Sequence, residues 1–161
     1  MTIPQEALDL ENRCIGVNGE PTLCQAYEIL KAQWQNGDRD RDLGLHLMFL
    51  SWYGQIEPGS LTGFTDTEEE KLELMKTFTD VHSFFEPEID KDAEMLFTVG
   101  SAAEMFWFMF PTDDRLWEKR GIEYQKLYRS LSPGGIDPEI FHGRGYYGDY
   151  FEGQAKAEKG Y

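Results

Sequence analysis

At 161 residues, 40% of them hydrophobic and 14% aromatic, the chain is about one domain long. It can bury roughly 70% of its unfolded surface without a disulfide staple. The 30 acidic and 15 basic side chains give a formal charge of -15, which argues against nucleic acid and anionic membrane as partners, because both are held through Lys and Arg. Cys14 and Cys24 are too few for a disulfide scaffold and too far apart for a C-x-x-C pair. The stretch MTIPQEALDLENRC lacks the basic start and apolar run of a secretory signal, and no segment approaches the roughly 20 apolar residues of a membrane span. A cytoplasmic chain with reduced thiols is the expectation.

In chain order, residues 1–20 read as an irregular N-terminal segment. Thr22 and Gln25 then have the spacing of a capping box, and Leu23, Ala26, Tyr27, Leu30 and Trp34 fall on one helical stripe that Asn36 and Gly37 end. Asp38 or Asp40 can cap a second helix through LGLHLMFLSWY to Gly54. That segment is apolar on nearly all sides, the pattern of a central helix. QIEPGSLTGF is punctuated by Pro58, Gly59 and Gly63 and reads as a loop. Thr67 and Glu70 form the clearest start signal, with Leu74, Phe78, Val81 and Phe85 as the buried stripe and Pro87 as the stop.

Met95 to Val99 and Met105 to Phe110 fit either two strands around GSAAE or a helix. Met and Ala favour helix, Ser101 and Glu104 repeat the capping spacing, and a break at Gly100 is expected. After Pro111, TDDRLWEKRGIEYQKLYRSL places Trp117, Tyr124, Leu127, Tyr128 and Leu131 on one side before SPGG. The chain thus reads as one all-α domain over residues 1–161, an irregular bundle of helical hairpins with about five main helices. A Gly- and Tyr-rich tail, residues 136–161, is expected to pack on it.

That tail contains the one familiar motif, HGRGYYGDYFEG, in which Gly143, Gly145 and Gly148 have the G-x-G-x-x-G spacing of a dinucleotide loop. Its context is wrong: IDPEIF precedes it, and only 13 residues follow Gly148, too few for the helix and the distant acid of a dinucleotide site. Glycines interleaved with Tyr146, Tyr147 and Tyr150 read instead as a tail lying close over the bundle, whose tyrosines are candidates for a partner contact. NGDRDRDLG resembles a calcium loop, but counted from Asp38 the sixth position is Leu43 and the twelfth Phe49, where Gly and Glu are needed. Asp42 with His46 and His82 with Glu86 stand one helical turn apart and offer an alternative reading as a small helical enzyme or metal-binding protein. The E-x-x-H spacing of di-iron bundles is absent, no Ser or Cys sits in a nucleophile turn, and neither a metal nor a cofactor is expected.

The acidic middle is the most informative feature. From Leu61 to Gly100 there are 11 acids and 3 bases, whereas from Ser101 onward there are 10 and 8. Asp66, Glu68, Glu69, Glu70, Glu73 and Asp80 lie on or before the third helix, off its apolar stripe, and are the candidate contacts for a basic protein. MFWFMF, Met105 to Phe110, is core by default and an adaptable binding surface if one face is exposed. A small, acidic, helical, cytoplasmic chain without catalytic motifs resembles, in this profile, the immunity proteins that block bacterial toxins, many of them basic nucleases. The resemblance implies a domain that neutralises or recruits a basic partner.

Overall fold

The computed structural model describes residues 3–110 and 115–161, all as helix, turn or loop with no strand among them. Eight α-helices follow in order: α1 (Gln5–Arg13), α2 (Leu23–Gln35), α3 (Arg41–Ile56), α4 (Gly59–Thr62), α5 (Glu68–Phe85), α6 (Ala93–Phe106), α7 (Leu116–Leu131) and α8 (Gly145–Glu158). Short 3-10 turns occupy Glu86–Lys91, Trp107–Met109 and Pro138–Phe141. No helix among the described residues is long and apolar enough to cross a membrane.

The all-helical reading holds; where about five main helices are expected, eight α-helices stand among the described residues, one of them the four-residue α4. α2, α3, α5, α6 and α7 occupy the five predicted segments, although Thr112 to Asp114, the expected start of the last of these, lies outside the described residues. The chain ends hold two helices not anticipated: α1 lies in the segment read as irregular, and α8 lies in the Gly- and Tyr-rich tail, where it contacts α1 and α3. α3 is the central element. Its residues from Leu43 to Gly54 are all buried, and α2, α5, α6 and α8 pack around it. That is what a helix apolar on every side demands.

Local signals were right where the side chain had no better partner. Asp40 accepts from the Asp42 and Leu43 amides, and Thr67 accepts from the Glu70 amide. Thr22 instead donates its hydroxyl to the Leu10 carbonyl at 2.5 Å, tying α1 to α2, so no capping box forms there. Ser101 lies inside α6 and accepts from Gln125 of α7 rather than capping anything. The expected break at Gly100 is absent because α6 runs straight through it, paired lengthwise with α7. Their approach is closest at Gly121, where any Cβ would lie 2.5 Å from the Glu104 backbone nitrogen. Only glycine fits at that crossing.

Candidate functional site

Two regions concentrate polar chemistry, one buried and one exposed. The buried one explains the glycine motif. Gly145, at φ +70°, opens α8 against Glu11, so closely that a Cβ would lie 2.7 Å from its Oε1. That oxygen accepts the Tyr147 amide in the first turn of α8, while Oε2 lies 2.7 Å from His46 Nδ1. A glycine turn feeding a helix N-terminus is indeed an anion site here. The anion is the protein's own Glu11 carboxylate, supplied by α1 and fully buried.

From this point the network runs outward. The His46 ring stacks on Tyr147, 4.6 Å between centroids, and the Tyr147 hydroxyl donates to Glu94 at 2.7 Å. Arg144 grips the same carboxylate with two bonds of 2.9 Å and reaches Asp42 at 3.2 Å. Arg41 grips Asp92, which in turn caps α6 through the Met95 amide. Burial opposes the Arg144 charge, yet its bonds to Glu94 raise its pKa; burial likewise opposes ionised Asp92, yet Arg41 holds its pKa low. Desolvation and the neighbouring Glu94 push Tyr147 well above its ordinary range, so it stays a donor. These are mutually satisfied polar and charged groups joining α1, α3, α6 and α8.

The two acid and histidine pairs do not form a site. Asp42 turns to the arginines while His46 turns to Glu11. His82 lies in a separate aromatic cluster, with Nε2 2.8 Å from the Tyr124 hydroxyl, Trp117 at 4.8 Å and Glu86 at 3.4 Å from Nδ1. Glu86 keeps helical backbone angles despite Pro87. Burial, aided by the Arg120 charge, lowers His82 to about 4, so its ring is neutral at neutral pH. Among the described residues no three His, Cys, Asp or Glu side chains converge as a metal site.

The exposed region is α5 with the turn before it, and the six acids named there divide by role. Asp66, in the left-handed region, accepts the Gly59 amide at 2.8 Å, and Glu70 accepts the Thr65 and Asp66 amides at 2.9–3.1 Å. Those two build the corner between α4 and α5. Glu73 pairs with Lys31 of α2, Asp80 with Lys76 at 2.7 Å, and Glu68 with Lys71 at 3.8 Å. Glu69 is exposed and forms no ion pair among the described residues.

Beside these acids runs a feature that sequence reasoning missed. A groove of about 790 Å³ lies between α5, the end of α3 and the turn after α6, floored by Met75 and Ile56 and walled by Leu72, Phe106, Phe108 and Met109. Leu72 is 68% exposed and Phe108 65% exposed, high for side chains of that size. Part of MFWFMF is therefore surface rather than core. A signal existed for α5: Glu68, Leu72, Met75 and Thr79 form a second helical stripe beside the buried one.

The tyrosines of the motif are not on this face. Tyr147 is wholly buried and makes no outward contact, which removes it from the candidate contacts. Tyr146 is half-buried with its hydroxyl 2.8 Å from that of Tyr53, and Tyr150 is half-buried against Trp52. Tyr150 is linked to the groove only from behind, since Trp52 also stacks on Phe106.

No family model matches the chain, and no curated protein or solved structure is significantly similar to it. What the site can do rests on its own chemistry. The buried network satisfies its polar groups internally, whereas the groove presents exposed apolar surface beside acids held only in exposed pairs, Glu68 with Lys71 and Asp80 with Lys76, and beside Glu69, unpaired among the described residues.

Proposed function

We propose that the chain is an acidic, cytoplasmic protein-binding domain that neutralises or recruits a basic protein, in the manner of a toxin-neutralising immunity protein. One observation carries the reading: the exposed apolar groove adjoins a helix with five acids and two lysines between Glu68 and Phe85. Large apolar side chains in water cost free energy unless something covers them, and on a monomer such patches mark contact sites. The acids beside them select what arrives. Charges at a rim mainly raise the association rate and exclude like-charged partners, while apolar anchors set the lifetime of the complex.

Within the acidic set, Glu68, Glu69 and Asp80 are the residues free to meet a partner, because their pairing is confined to exposed contacts along α5 or is absent. Exposed ion pairs of that kind are worth about 0 to 1 kcal/mol, so a partner's arginine can displace the local lysine. Glu73 is left aside because it ties α5 to α2, and Asp66 and Glu70 because they hold backbone amides. The test uses the genetic neighbourhood. Cells expressing a basic toxin encoded beside this chain should survive only when the chain is co-expressed, and the variant E68K/E69K/D80K should protect less well. Survival that does not depend on the chain contradicts the proposal.

A further inference from the structure

We infer that the groove is shaped for an amphipathic α-helix of about three turns, presented by the basic partner; the inference rests on the partner reading above and specifies the contact. The groove follows one stripe of α5, with Glu68, Leu72, Met75 and Thr79 facing it in successive turns. Glu68 to Thr79 spans 11 residue steps, which is about 16 Å at about 1.5 Å per step. A groove lined over that stretch of α5 suits a second helix laid along it, with anchors at i, i+3 or i+4, and i+7.

The lining matches the apolar face of such a helix. Met75 and Met109 are unbranched and adjust to differently shaped anchors, while Phe106 and Phe108 supply flat walls. Leu72 and Phe108 stand highest, so a ridge of partner side chains entering between them covers the two most exposed groups at once.

Charge fixes the kind of helix. Lys71 and Lys76 border the groove, but each is answered within α5, by Glu68 and Asp80. At the start of α5, Glu68 edges the groove and Glu69 beside it is exposed with no ion pair among the described residues. The occupying helix therefore carries its arginines and lysines at the end lying over Glu68 and Glu69. A second copy of this chain does not meet the requirement, since each copy brings -15 and the same acidic rim.

The experiment uses the full chain and a labelled synthetic peptide, a basic amphipathic helix with leucines at helical spacing and its arginines at one end, followed by fluorescence anisotropy. Saturable binding is expected, weakened at least tenfold by Leu72→Asp and by Phe108→Asp, and lost when the peptide's arginines become glutamates. Leu72→Ser and Phe108→Ser, checked for unchanged circular dichroism, repeat the test without adding charge. No saturable binding, or equal binding by the wild type and all four variants, overturns the inference. The two readings fail separately. If a basic partner protein binds with a salt-dependent rate but dissociates equally fast from wild type and Leu72→Ser, the groove assignment falls and the acidic-face reading stands. If the peptide needs Leu72 and Phe108 but ignores salt and E68K/E69K/D80K, the acidic-face reading falls, and with it the basic end assigned to the helix, while its apolar seat in the groove stands.

Discussion

Glu11 shows how one residue can be illegible in sequence and decisive in structure. In QEALDLENR an acid among acids reads as surface, yet Glu11 is fully buried and satisfies both an α8 amide and His46. Nothing local announces this, because its partners are 35 and 136 positions away. Removing the Glu11 side chain leaves the buried Tyr147 amide and His46 Nδ1 without their partner, so Glu11→Ala should cost about 2 to 5 kcal/mol, at about 1 to 3 kcal/mol per stranded group. Urea denaturation measures it; a loss under about 1 kcal/mol means the contact is dispensable. His82 gives a pH-dependent counterpart. Its pKa is about 4 in the fold against an ordinary 6.5, so the native state favours the neutral ring. The stability this contributes is complete above about 6.5 and is lost as pH falls toward 4, by on the order of 3 kcal/mol. Acidification from neutral pH to near 4 should therefore destabilise the wild type more than His82→Gln. Equal losses in the two proteins contradict the assignment.

At the scale of elements, legibility followed the amount of local information. α2, α3, α5 and α7 carry apolar patterns of three or more turns, and most of those positions are buried, although Trp34, Phe85 and Leu127 are only partly so and Leu131 is exposed. α8 was hidden because Gly145, Gly148 and Gly153 lower its helix propensity, and glycine costs about 1 kcal/mol against alanine in a helix. What holds it is tertiary: Tyr147, Phe151 and Ala155, one turn apart, are all buried. That spacing was a visible signal, masked by the glycines. The groove was missed for a related reason, since whether Phe108 faces core or water depends on where the turn after α6 sends it. Gly121 supplies a test in which propensity and packing predict opposite signs. Propensity alone makes Gly121→Ala stabilising by about 1 kcal/mol. The new Cβ, 2.5 Å from the Glu104 nitrogen, must instead push α6 and α7 apart, for an expected loss of about 1 to 3 kcal/mol or more in chemical denaturation. A gain refutes the close crossing.

For the whole molecule, the charge of -15 was plain from composition, but its meaning depended on placement. Buried acids such as Glu11 and Glu94 are spent inside, the first hydrogen-bonded to His46 and an α8 amide and the second gripped by Arg144, and corner acids such as Asp66 and Glu70 are spent on backbone amides. The remainder on α5 stands next to apolar surface, and that conjunction is what the proposed function rests on. Uncompensated charge opposes compaction slightly while speeding capture of an opposite charge by about ten- to a thousand-fold. Screening over about 8 Å at physiological salt then becomes the diagnostic. The most direct measurement is the association rate between this protein and the basic product of a gene adjoining its own, followed by stopped flow at low and at physiological salt, for the wild type and for E68K/E69K/D80K. The wild-type rate should fall steeply with salt, and the variant should be several-fold slower and less salt-dependent, folded with the same circular dichroism although its first-turn acids are lost from α5. A rate indifferent both to salt and to the charge reversal contradicts it.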